Sequence, residues 1–111
     1  MMKEYKLINI LHSGQKGERG TLVTQEKYDG MIGSLVILNI DEINIGDSFT
    51  FWFENNMFYK YWTTSPVLSF INSETKQKLI IETLNSLYTF DYIGEFKRKR
   101  VEVNLNEVQN L

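Results

Sequence analysis

The chain has no cysteine and no alanine, one proline and one histidine. Without cysteine there is no disulfide, no thiolate zinc site and no cysteine nucleophile. With His12 as the single histidine, a metal site would need carboxylates, and no acidic cluster has the spacing of a calcium loop. No cofactor and no metal are therefore expected. Alanine is the strongest helix former, so its absence leans the chain toward β-structure. A run of about 20 apolar residues is missing as well. Residues Met1 to Leu11 alternate charged with apolar positions and lack the apolar stretch of a signal peptide. These absences point to a cytoplasmic protein with no membrane partner.

What is present fits a small folded domain. At 111 residues, the chain suits one β domain over 1–111. Isoleucine, valine, threonine and aromatics, the last at 14%, favour a pleated, half-buried surface. An Ile/Asn/Lys-rich, alanine-free composition also accords with a low-GC bacterial or viral coding genome. Net charge is −2, which argues mildly against nonspecific binding to a nucleic-acid backbone. Lys97, Arg98, Lys99 and Arg100 nonetheless form a local basic run.

Along the chain, Lys3 to Leu11 reads as a strand, with Tyr5 and Leu7 on one side and Ile8 and Ile10 on the other after an irregularity. Ser13 to Gly20 is a glycine-rich loop, Thr21 to Thr24 a short strand, and Tyr28-Asp29-Gly30 a turn. Ser34 to Ile40 is a buried strand, and Asp41 to Asp47 a turn or one short helical turn. Ser48 to Glu54 and Met57 to Thr63 form a hairpin around Asn55-Asn56. One of its faces holds Phe49, Phe51, Phe53, Phe58, Lys60 and Trp62, and its four phenylalanines are the expected core. The other holds Thr50, Trp52, Glu54, Met57, Tyr59 and Tyr61.

Ser65-Pro66 is expected to break the ladder, because proline has no N–H. Val67 to Ile71 is a strand, Asn72 to Gln77 a turn, and Lys78 onward a second hairpin with its tip at Asn85-Ser86. Leu79, Ile81 and Thr83 share an inner face with Tyr88, Phe90 and Tyr92. Val101 to Leu105 alternates as a final strand, and Asn106 to Leu111 is expected to fray. The fold class is all-β: six to eight short strands in an antiparallel barrel or sandwich. The barrel is preferred, because short aromatic strands must hide their edges.

Three features suggest ligand or partner binding. Trp52, Tyr59 and Tyr61 have the large apolar bodies and polar handles typical of binding hot spots. In the loop, backbone N–H groups with Lys16 and Arg19 suit an anion, although the spacing matches neither the phosphate-binding nor the dinucleotide glycine pattern. Arg98 and Arg100 share one face of a strand and suit phosphates or acidic side chains. No catalytic group is singled out. His12 and Ser13, as strand neighbours, point apart, and Asp41, Glu42, Asp47 and Asp91 lack the spacing of a shared cleft. Thr63-Thr64-Ser65-Pro66 and Thr83-Leu84-Asn85-Ser86 are hydroxyl-rich corners that hydrogen-bond local backbone or offer donors to a ligand.

The stretch Trp62-Thr-Thr-Ser-Pro-Val67, followed by Ile81-Glu-Thr-Leu-Asn-Ser-Leu-Tyr-Thr-Phe90, resembles a pattern toward the C-terminus of short uncharacterised phage and bacterial β-domain proteins. The resemblance implies an accessory factor that binds a host component, in the host cytoplasm. The expected function is noncatalytic binding: inhibition of a host defence protein, or sequestration of a small nucleotide-like ligand. The alternatives are a barrel that binds single-stranded nucleic acid and a structural subunit of a phage assembly. A homo-oligomer is compatible with each.

Overall fold

A computed structural model describes residues 2–24, 28 and 30–96, which form a closed antiparallel barrel of six strands. In chain order the strands are β1 (Lys3–His12), β2 (Leu35–Leu38), β3 (Ser48–Asn55), β4 (Phe58–Ser73), β5 (Lys78–Thr83) and β6 (Ser86–Glu95). Each pairs with the next, and β6 closes on β1. One turn of 3-10 helix, Ile40–Glu42, begins the link to β3, and the Asn39 side chain accepts the Asp41 N–H at 3.1 Å. Among the described residues no helix is long and apolar enough to cross a membrane. The expected final strand over 101–105, with Arg98 and Arg100, lies outside the described residues.

Alternation places the core. Phe49, Phe51 and Phe53 of β3 point inward while Thr50 and Trp52 point out. Leu79, Ile81 and Thr83 of β5 meet Tyr88 and Phe90 of β6 on the inner face, as expected. Phe51 stands at the centre, with ring centroids 5.5 Å from Phe90 and 5.9 Å from Tyr88 in edge-to-face contact. In β1, Tyr5, Leu7 and Ile10 are all buried. The irregularity expected there is a bulge between Leu7 and Asn9. It resets the alternation, so Ile10 joins Tyr5 and Leu7 rather than opposing them. Residues 21–24 are not a strand, since Leu22 makes only an isolated bridge to Leu11.

Both hairpin tips lie one residue from the expected place. In the first, Asn56 and Met57 form the turn, with φ of 51° and 70°. This register sets Trp52 against Tyr61 and Thr50 against Thr63, whose hydroxyls meet at 2.9 Å. Such cross-strand pairs contribute roughly 0.2–1 kcal/mol each, which offsets the left-handed backbone of Met57. Moving the tip by one residue shifts the register by two, an even step, so the two faces keep their members. The second tip is Leu84–Asn85, closed by the Thr83 hydroxyl, which accepts the Ser86 N–H at 3.1 Å and donates to the Ser86 carbonyl at 3.0 Å.

Phe58 departs from its expected place. It sits on the inward-pointing side of the hairpin yet is 73% exposed, because β4 gains a β5 partner only from Val67 onward. Nor does Pro66 break the strand. β4 runs through it for 16 residues, pairing with β3 up to Pro66 and with β5 from Val67. Register shifts on either side, against Ser48/Thr50 and between Val67 and Ser69, bend the strand at this point. The missing N–H falls at the bend, and the Pro66 carbonyl accepts from Leu84 N–H at 2.9 Å.

Two stability measurements follow from this packing. Phe51→Ala lowers the unfolding free energy by about 3–5 kcal/mol, whereas Phe58→Ala changes it by less than about 1 kcal/mol, both read by urea denaturation. Met57→Gly relieves the left-handed strain in the turn and raises stability by roughly 0.5–1 kcal/mol; an unchanged or lower urea midpoint would show that no strain is held there.

Candidate functional site

The bend in β4 is fastened by hydroxyl groups. The register shift takes Phe49 N–H out of the ladder, and Thr64 Oγ1 accepts it at 3.0 Å while donating to the Ser65 carbonyl at 2.7 Å. Ser65 Oγ donates to Thr83 Oγ1 at 2.9 Å and accepts from Asn85 N–H at 3.0 Å. Ser13 Oγ donates to the Leu84 carbonyl at 2.6 Å. The two hydroxyl-rich corners are thus joined to one another. Thr64, Thr83 and Ser86 are buried, and each hydrogen-bonds, as groups removed from water require.

Beside this clasp lies a cavity of about 280 Å³, lined by His12, Lys16, Val23, Tyr28, Trp62, Thr63, Ser65, Asn85, Ser86 and Tyr88. Its volume approaches the lower end of small-molecule sites. Three aromatic rings wall it. Tyr28 and Trp62 meet edge-on at 5.2 Å, and Trp62 Nε1–H donates to Tyr88 Oη at 3.0 Å. Lys16 supplies the cation, and His12, Ser65, Asn85 and Ser86 supply polar groups.

The glycine-rich loop forms one side of this cavity and is pinned to the barrel. Gly20 N–H donates to the His12 carbonyl and His12 N–H to the Thr21 carbonyl, at 2.9 and 2.8 Å. Gly17 lies so close to His12 that a Cβ there would fall 2.6 Å from the imidazole. Only glycine lets the loop rest on that ring. Arg19 is engaged by Glu82 at 2.6 Å and by the Ser13 carbonyl at 2.9 Å, so Lys16 is the loop cation that reaches the cavity.

The expected site residues therefore separate. Lys16 lines the cavity, Arg19 anchors the loop, and Trp52, Tyr59 and Tyr61 stand on the outer face of β3 and β4, at 43%, 44% and 66% exposure. Trp62 and Tyr88, read from sequence as inner-face residues, wall the cavity. Tyr28, read as part of a turn, joins them. The hydroxyl corners were the sequence signal nearest to this site, and His12 belongs to it as a lining group, with no hydrogen bond to Ser13 required. Among the described residues no group of three or more His, Asp or Glu could hold a metal ion. No protein-family model, curated protein or solved structure matches the chain.

Burial pushes the Tyr88 phenol up to about 12, with the Trp62 hydrogen bond acting in the opposite direction. Burial, then the Tyr92 charge, raises Tyr5 to about 12. Both phenols are neutral in the folded and unfolded chain below pH 10, the ordinary value. Between 10 and about 12 the unfolded chain ionises first, so stability falls as pH rises through that window. Urea midpoints of the wild-type chain should accordingly drop more steeply across this range than those of Tyr5→Phe or Tyr88→Phe; equal slopes would mean that these phenols are not held neutral.

Proposed function

We propose that this chain is a noncatalytic binding protein whose barrel-end cavity holds a small nucleotide-like ligand, a planar ring joined to an anionic group. The observation that carries the reading is the lining itself: Tyr28, Trp62 and Tyr88 on the walls, with Lys16 and His12 beside them. Aromatic faces take a planar ring by stacking, and a lysine ammonium takes the anion as a point charge. Asn85, Ser65 and Ser86 offer the directional hydrogen bonds that fix orientation in such sites.

The resemblance at 62–67 and 81–90 supports the wider role of a phage or mobile-element accessory factor in the host cytoplasm. Ligand sequestration would be one way to serve it. The reading of Trp52, Tyr59 and Tyr61 as a platform for single-stranded nucleic acid is the weaker one. Glu4 shares their surface, and Glu54 pairs directly with Tyr59, and carboxylates repel phosphates.

Trp52→Phe leaves Trp62 as the only tryptophan and makes its fluorescence a reporter on the cavity. Adding purine and pyrimidine nucleoside monophosphates should change this emission saturably, and Lys16→Ala should weaken the tightest of them about tenfold. If no nucleotide alters the emission, or if Lys16→Ala leaves the affinity unchanged, the proposal fails.

A further inference from the structure

The outer face of β1 to β4 carries a second surface, distinct from the cavity. Glu4 pairs with Ile37, Ile37 with Trp52, and Trp52 with Tyr61, so the four lie in one row across four strands. Glu54 and Tyr59 form the neighbouring row toward the hairpin tip. Ile37 is 6% exposed although its register turns it outward; its cross-strand neighbours Glu4 and Trp52 flank it on either side. Trp52 and Tyr61 meet edge-on at 5.5 Å and 67°. Burial, followed by the charges of Glu54 and Glu4, raises the Tyr59 phenol above its ordinary value, so both carboxylates act on this ring. The row of Glu54 and Tyr59 leads across β2 to Lys6, which pairs with Leu35 just before the Val36–Phe53 pair, so the face carries two carboxylates and one ammonium. Asp91, opposite Lys6 on β6, is engaged by Lys78 at 2.6 Å, so the charge of the face is set by Glu4, Glu54 and Lys6.

We infer that this face docks a cationic segment of a partner protein, whose arginine or lysine side chains lie over Trp52, Tyr59 and Tyr61 and pair with Glu4 and Glu54. Aromatic faces carry negative potential and attract guanidinium and ammonium groups. Carboxylates at the rim add charge-assisted hydrogen bonds, bidentate with arginine. The same charges disfavour another occupant. A nucleic acid would set its phosphates against two carboxylates.

The test is fluorescence anisotropy of a labelled peptide of four Arg-Ser repeats, titrated with the full chain at low ionic strength. Binding is expected, weakening as salt rises. The double variant Glu4→Gln/Glu54→Gln should weaken it roughly fivefold or more, from two lost surface pairs. The variant Glu42→Gln/Asp47→Asn, which removes the same charge elsewhere, should leave the affinity within about twofold. Equal weakening by both variants would mean nonspecific attraction and overturn the inference, as would no binding. It is also overturned if a thymidine oligonucleotide binds this face more tightly than the peptide, or if sedimentation reveals a dimer that Trp52→Ala dissolves. None of these outcomes depends on the cavity or its ligand.

Discussion

The bend of β4 at Ser65–Pro66 is the constraint on which the molecule is organised. One 16-residue strand serves two neighbours in turn, β3 up to Pro66 and β5 from Val67. The transfer lets a barrel close from six strands, and it displaces backbone groups from the ladder at the corner. Hydroxyls take their place: Thr64 receives Phe49 N–H, and Ser65 and Thr83 link the corner to the β5–β6 tip. A buried donor without a partner costs about 1–3 kcal/mol, so these threonines and serines are part of the closure rather than decoration of a turn.

The cavity is a consequence of the same bend. Before Pro66, β4 is paired with β3 alone among the described strands, and Trp62 reaches from this half to Tyr88 on β6 and to Tyr28 in the long β1–β2 connection. The glycine-rich loop covers the remaining side, with Gly17 on the His12 ring and Arg19 tied to Glu82. Its sequence suggested an anion cradle of backbone N–H groups. In the fold, two of those groups, the N–H of Ser13 and of Gly20, hold the loop to Asn85 and His12, and Lys16 carries the charge.

Side-chain periodicity made the barrel legible. A period of two points Phe49, Phe51, Phe53, Leu79, Ile81, Tyr88 and Phe90 inward, and a tip one residue further along leaves that face intact because the register moves by an even step. Features that depend on chain reversal or irregularity were not legible. A bulge turned Ile10 inward, the bend carried the strand through Pro66, and the late start of the β5 ladder left Phe58 uncovered. Tyr28 reaches the cavity through a connection whose path no local pattern encodes. The hairpin is aromatic on both sides, and its sequence does not say what covers the second one; in the barrel Trp52, Tyr59 and Tyr61 stand on the outside.

Two chemically opposite surfaces result, a cavity with a lysine among aromatic rings and an outer aromatic face bordered by two glutamates. Each contains one of the two tryptophans. The two indole N–H signals in a proton–nitrogen NMR spectrum therefore report on the surfaces separately. Titration with a nucleoside monophosphate should move the Trp62 indole, whose N–H donates to Tyr88, and leave Trp52 in place. A Trp62 signal that stays fixed while Trp52 shifts, or two signals that do not respond, would contradict the account.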